Sequence, residues 1–397
     1  MLKKMRRNNS SLNKAKDEKF DEFYAIPAEI AKELNHYHYE FKGKTIFCNC
    51  NDGLHRGFVN FFIDNYDKFD IGLLIYSLYG ENDENGKIFT YNGIHERSIE
   101  LKTKGDFRNG ECLDALKYAD IIVTGPPFSL FREFINLMFT HDKKFLVIGD
   151  FNSVVCKDIF PHILNGNIQF GFTRPCEFIV PDRYKGNCFI DKKDGLRKTK
   201  LGKTVWYTNI KHNTIRKPIT LTEKYSPKKY PKCDNFDAIW VEKIKDIPKD
   251  YNGLMCVPIS YLQKHCELQF KVLGLADNNK VVEQYRIEGC KDYTRPYVKG
   301  EKKIYRLLIR KINTAHKCIN KLTAQEKNTF INKIIFLMEK YNFPELKNFY
   351  YGEKNIHQEY EWCLRAMRKL GFKFRHIMNM FNPTEDDFMM METQEIL

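Results

Sequence analysis

The sequence predicts an α/β chain. A doubly wound parallel sheet is expected over residues 18–175, a mixed, mostly β region over 176–313 and a helical segment over 314–397. Three observations lead there. Short β-branched runs alternate with amphipathic stretches in the first part, the pattern of repeated strand–helix–strand units. The middle part is richer in Pro, Lys, Tyr and Asn and holds only short strand-like runs. The last part turns to helical periodicity, as over 330–339 and 360–370.

Each element has its own signal. Residues 1–17 read as a basic, flexible arm. Ile26-Pro27-Ala28-Glu29 opens a helix with proline in its first turn. Residues 44–48 form a short buried strand, followed by a polar turn over 48–52. A helix is expected over 56–65 and a second strand over 71–79. Residues 80–93 read as a polar, glycine-bearing connection of hairpin type. Then come a helix over 112–118, a strand over 120–124, a helix over 130–139 and a strand over 144–148. Further on, 204–207, 238–241 and 305–309 are strand-like. The final dozen residues are acidic and rich in Met.

Composition narrows the function classes. The chain has 397 residues, 43% of them hydrophobic, enough for a real core and for two domains. No apolar run is long enough to span a bilayer. The first ten residues lack the apolar core of a secretion signal, so a cytoplasmic protein is expected. The twelve cysteines are scattered without zinc-knuckle spacing, which favours reduced thiols and no metal. The net charge of +14 is uneven: residues 314–397 hold 12 bases against 11 acids, leaving +13 for 1–313. Residues 1–16 carry six bases and no acid, 183–203 eight and two, 211–232 seven and one. Such blocks suit a polyanion such as nucleic acid, although any one alone also suits a solubilising face.

The most informative stretch is Ile121-Ile122-Val123-Thr124-Gly125-Pro126-Pro127-Phe128. The β-branched run favours a buried strand. Two prolines cannot donate to a ladder, so the strand must stop. Phe128 then stands at the strand's carboxyl end, where open α/β sheets bind ligands. A rigid Pro-Pro turn with an aromatic ring suits enzymes that methylate an exocyclic base nitrogen, the ring stacking on a flipped base. An ordinary proline-terminated strand is the plain alternative.

Several blocks together resemble the EcoRI-type adenine-specific (N6) DNA methyltransferase family. They are Asp21-Glu22-Phe23-Tyr24, the run from Lys44 to Asp52, Gly105-Asp106-Phe107-Arg108, the run from Val123 to Glu133, and Lys144 to Gly149. The runs from Tyr230 to Ile239 and from Tyr251 to Pro258 follow in the family's order. The resemblance covers about residues 18–313 and stops before the helical segment. It implies a Rossmann-like methyltransferase core over 18–175 using S-adenosylmethionine, and a target-recognition region over 176–313. It also implies double-stranded DNA as substrate, with a cognate restriction endonuclease sharing the site as the candidate protein partner.

The resemblance also distributes roles. Gly125, Pro126, Pro127 and Phe128 are the candidate catalytic residues. Phe23, Tyr24, Asn49, Asn51, Asp52, Asp106 and Phe107 are candidates for the cofactor. Each has a plainer alternative: a hydrophobic staple at the helix start for Phe23 and Tyr24, turn formation for Asn49, Asn51 and Asp52, an exposed turn for Asp106. Lys3, Lys4, Arg6, Arg7, Lys192, Lys193, Arg197 and Lys198 are the candidate phosphate contacts.

One departure stands out: the family usually has Asn where this chain has Gly125, and only backbone carbonyls are left to accept from the target amine. Asp150 is a second local change, again where the family tends to have Asn. Two readings follow. The first is an active adenine-N6 methyltransferase. The second is a catalytically degenerate methyltransferase fold that binds nucleic acid as an interaction module. An RNA or protein methyltransferase fits the long-range blocks less well.

Overall fold

The computed structural model describes residues 23–51, 56–80, 84–182, 184–211, 218–266, 269–276, 285, 287 and 295–312. The arm, with Lys3, Lys4, Arg6 and Arg7, lies outside them, as do Asp52 and the helical segment after 313. Two compact units divide at Ile210 and Lys211.

In the first unit, the strands in chain order are β1 (Tyr24–Ala25), β2 (Thr45–Asn51), β3 (Leu73–Leu78), β4 (Lys87–Tyr91), β5 (Glu96–Glu100), β6 (Ile121–Thr124), β7 (Lys144–Asp150), β8 (Gln169–Phe170), β9 (Glu177–Ile179), β10 (Phe189–Ile190), β11 (Arg197–Lys200) and β12 (Thr204–Thr208). Eight of them form one sheet in the order β5-β4-β3-β2-β6-β7-β12-β8. Its centre, β3-β2-β6-β7, is parallel. The flanking strands are antiparallel.

The sheet is wound on both faces, and the period-2 alternation of its strands says why. Ile46, Cys48, Ile121, Val123, Leu146, Ile148 and Trp206 point to one face. There they join Ile30 and Leu34 of helix α1 (Pro27–Leu34) and Phe58, Val59 and Phe62 of a later helix (Gly57–Asp64) in one core. Phe145 and Tyr207 point the other way, where helix Phe131–Thr140 meets them: Phe131 lies 4.8 Å from Tyr207 and Phe139 5.8 Å from Phe145. That helix buries Phe131, Phe134, Ile135 and Met138, an i, i+3, i+4, i+7 stripe. A Cβ on Gly149 would lie 2.4 Å from the Phe131 ring, so glycine lets this helix seat against β7.

Two expectations need correcting. The connection expected over 80–93 holds β4, and the hairpin runs on to β5 at Glu100. The first domain does not stop at 175. Thr204–Thr208 returns to pair along β7 from Thr204↔Asp150 to Thr208↔Leu146, so 176–210 belong to the first unit. Its fully buried run, Thr-Val-Trp-Tyr-Thr, is an interior strand of the main sheet.

β1, β9, β11 and β10 form a second, four-stranded antiparallel sheet. Glu33 of α1 is buried, and its carboxylate accepts from the Phe172 and Thr173 amides (2.8 and 2.6 Å), the Thr173 hydroxyl (2.6 Å) and the Tyr37 hydroxyl (3.1 Å).

The second unit holds a mixed sheet, Ile239–Trp240, Leu254–Pro258, Arg306–Lys311 and Phe270–Leu275 in spatial order. Its core gathers Cys233, Phe236, Trp240, Leu254, Cys256 and Leu308. The Arg306 guanidinium lies 4.0 Å over the Trp240 ring. No helix among the described residues is long and apolar enough to cross a membrane.

Candidate active site

From β2 the chain passes to β3 on one side and returns through β6 on the other. The strand order therefore reverses between β2 and β6, the point at which an open α/β sheet leaves a crevice at its carboxyl ends. β6 pairs with β7 as far as Thr124↔Val147 and stops at Gly125-Pro126-Pro127. Pro126 is buried and Gly125, Pro127 and Phe128 are half-buried. A 3-10 turn over Phe128–Leu130 then leads into the helix beginning at Phe131, with the Leu130 amide donating to the Pro127 carbonyl (2.9 Å).

The end of β2 differs from the polar turn expected there. The strand continues through Asn51, with an irregularity between Cys48 and Asn51 and Cys50 in the left-handed region at φ 61°. A bulge of this kind bends a strand and re-aims its side chains. Asn49 is 2% exposed, and its Oδ1 has no hydrogen-bond partner among the described residues. A buried amide oxygen without a partner is costly, so one at the crevice suits a ligand that donates to it. The Thr124 hydroxyl donates to the Asn49 carbonyl.

Phe23 does not act as a staple. The residue before the helix is Ile26, so the staple position belongs to Ala25. Phe23 instead stacks on Phe128, with ring centroids 5.5 Å apart and planes 28° apart. Tyr184 and Phe178 meet Phe23 edge-on at 5.7 and 6.3 Å. Tyr24, in β1, pairs with Ile179 of β9. Phe178 and Tyr184 thus meet the aromatic stack, a contact that no local motif announces.

Asp106 sits in a turn of its own making. Its Oδ1 accepts from the Arg108 amide and Nε, both at 2.9 Å, and its Oδ2 from Arg108 Nη2 at 2.7 Å. Those bonds hold the Asp106 carboxyl below the usual carboxylate range, against the opposing effect of burial. Arg108 Nη1 also reaches Glu133 at 2.8 Å, and Phe107, buried, meets Phe134 edge-to-face at 5.2 Å. The 106–108 turn is thereby fixed to the helix that follows the Pro-Pro-Phe loop. Among the described residues no group of three or more His, Cys, Asp or Glu side chains is placed to hold a metal ion.

The comparisons with known proteins bear on this arrangement. The model of the family described as adenine-specific methyltransferase EcoRI matches residues 11–312. The chain belongs to this family. It is 38% identical to the Type II methyltransferase M.EcoRI of Escherichia coli over 289 residues, covering 67% of this chain and 89% of that one. It is 37% identical to M.MgeORF184P of Mycoplasma genitalium over 276 residues, 67% and 86% of the two chains. With M.MpnI of Mycoplasma pneumoniae it shares 32% over 313 residues, 75% and 97%. No solved structure matches. The family match begins at residue 11, inside the stretch read as an arm, and ends where the helical segment begins.

Within this EcoRI-type methyltransferase the departure at Gly125 is open space. Among the described residues a Cβ there would meet only Phe58 Cε2, at 3.7 Å, and the backbone lies outside the left-handed region. Asp150 does not fill the gap: its carboxylate accepts from the Asn152 amide (2.9 Å) and Nδ2 (3.2 Å), capping the turn after β7.

The bases of the hairpin of β10 and β11 fall into two groups. Lys198 is 5% exposed and closes on Asp191 (2.7 Å) and Asp194 (2.6 Å). Arg197 turns back onto the Asp182 and Tyr184 carbonyls. Lys198 is thus enclosed by acids of its own hairpin, and Arg197 by carbonyls of the segment that precedes it. Lys192 and Lys193, at the tip, are exposed.

Proposed function

We propose that the protein transfers a methyl group from S-adenosylmethionine to adenine N6 within a specific duplex DNA site, the target base being flipped into the crevice between β2 and β6. The observation that carries this reading is the convergence there of the Pro-Pro-Phe loop, the Phe23–Phe128 stack and the unpartnered Asn49 oxygen. Asn49 and Asn51 on β2, with Asp106 and Phe107 in the turn facing the helix after the loop, would hold the cofactor. When bound, it supplies a methyl on a sulfonium. The chain's task is then to align the nucleophile, exclude water and stabilise the charge growing on the amine. Pro126 and Pro127 fix the backbone so that the Gly125 and Pro126 carbonyls accept from the exocyclic N–H groups. Phe128 offers a stacking face to the base, and Phe23 backs it. Lys192 and Lys193 reach phosphates, which position the protein without reading sequence.

Gly125 favours a second reading, a nucleic-acid-binding module on a methyltransferase fold that has lost turnover. One assay separates the two: tritiated methyl transfer to unmethylated duplex DNA, with single-stranded RNA as the competing substrate, and sequencing of methylated adenines in DNA from cells expressing the chain. Methyl-adenine at one repeated duplex site is expected. Binding of DNA and cofactor with no transfer would select the module; transfer to RNA alone would overturn both.

A further inference from the structure

Two strands that begin as a ladder part before they end. β2 and β6 are in register at Ile46↔Ile121 and Phe47↔Ile122. Continued by two residues, that register sets Asn49 opposite Thr124, but no ladder pair forms there. Just beyond, Cys50 is left-handed and the pairing of β2 with β3 is irregular between Cys48 and Asn51. Across the opening, the Thr124 hydroxyl donates to the Asn49 carbonyl. Thr124 is fully buried. A side chain therefore supplies the cross-strand bond at the point where the sheet opens into the crevice. Directly after Thr124 comes Gly125 and the Pro-Pro-Phe loop.

We infer that Thr124 is a positioning residue. Its hydroxyl ties the end of β2 to the end of β6 and sets the distance between the cofactor-binding strand and the loop that holds the amine. The inference rests on the methyl-transfer reading above. Residue type supports it: valine would serve the strand equally well, so the hydroxyl in a fully buried position answers to the bond. In-line transfer depends on reacting atoms held about 3–3.5 Å apart and aligned. A loosened crevice therefore lowers the rate of the chemical step more than it lowers either affinity.

The test compares Thr124→Val with Thr124→Ser in the full chain. Thr124→Val should reduce the single-turnover rate by roughly 10- to 100-fold, as misplacement of about 1 Å does, with cofactor and DNA affinities near wild type. Thr124→Ser, which keeps the donor, should recover most of the rate. Amide hydrogen exchange at Cys50 and Gly125 should quicken in Thr124→Val and return in Thr124→Ser. A role in stability alone would lower the melting temperature and both affinities together, with no separate loss of rate, and would overturn the inference. So would unchanged exchange, or faster exchange with an unchanged rate. If the wild type transfers no methyl to any DNA, the methyl-transfer reading has failed; the exchange comparison then decides whether the tie exists.

Discussion

The hairpin of Phe189–Ile190 and Arg197–Lys200 and the ends of β2 and β6 handle polar groups in opposite ways. In the hairpin, Lys198 meets two aspartates, Arg197 two carbonyls, and the Thr199 hydroxyl the Asn187 carbonyl at 2.6 Å. At the strand ends, Asn49 keeps a buried oxygen unpartnered, and Gly125 offers bare backbone beside open space. Formal charge is concentrated in the first region and unmet hydrogen-bonding capacity in the second. Native proteins satisfy nearly all buried polar groups, so an unmet one at a topological switch point says more about function than a run of lysines. Location matters as much as deficiency: Gln169 Oε1 is also unpartnered among the described residues, but lies on β8, at the far edge of the main sheet.

The strongest way to sharpen the contrast is to fill the open space. Gly125→Asn adds the side-chain acceptor that the family resemblance leads one to expect there, and among the described residues its Cβ meets nothing closer than 3.7 Å. A transition-state hydrogen-bonding group is worth roughly 100- to 1000-fold in rate, so the single-turnover rate with saturating DNA and cofactor should rise steeply. Robust wild-type turnover with no gain in the variant would mean that a backbone carbonyl suffices, and the idea of lost turnover would go. Phe128→Ala should act in reverse, removing stacking worth about 1–3 kcal/mol.

A smaller effect is expected at Asp106, where the contrast can be broken. Its carboxylate is already met by Arg108, as a structural group's would be, yet it stands where the family resemblance puts a cofactor contact. Asp106→Ala should weaken S-adenosylmethionine binding by about 1–3 kcal/mol if the cofactor amine is left unpaired. Calorimetry showing unchanged affinity in the folded variant would return Asp106 to a purely local role. The pH profile has a definite sign. The folded carboxyl titrates below its unfolded value, so its contribution is complete above the ordinary carboxylate range and fades only as pH falls through that lowered value. Affinity should be insensitive to Asp106 ionisation through the neutral range.

Much of the first unit was legible in sequence because local and global preferences agree there. Ile121–Thr124 is β-branched, buried and closed by two prolines, and Phe131–Thr140 carries a clear apolar stripe. What was not legible is non-local. The Thr204–Thr208 run looks like any short strand, and only pairing with β7 assigns it to the main sheet. Nothing local marks Glu33 as buried; Phe172 and Thr173 bind its carboxylate from far along the chain. No local motif announces that Phe23 stacks on Phe128, more than a hundred residues away. Lys198 reads as a phosphate contact because a count of charges cannot see Asp191 and Asp194 folded onto it.

That last case gives the smallest and most selective prediction. Lys192 and Lys193 stand exposed at the hairpin tip, while Lys198 is enclosed. If the tip grips phosphate, Lys192→Ala with Lys193→Ala should weaken DNA binding uniformly across sequences. Each lost contact should flatten the dependence of log affinity on log salt by about 0.9. Lys198→Met should leave that slope untouched and instead lower the melting temperature, since Asp191 and Asp194 would then face each other without the ammonium between them. Lys192→Ala alone removes one positive charge, as Lys198→Met does, so net charge cannot explain a difference between those two single variants. A salt slope that responds to Lys198 and not to the tip would mean that the hairpin opens on DNA and releases its buried lysine, which would erase the distinction between met and unmet groups drawn above.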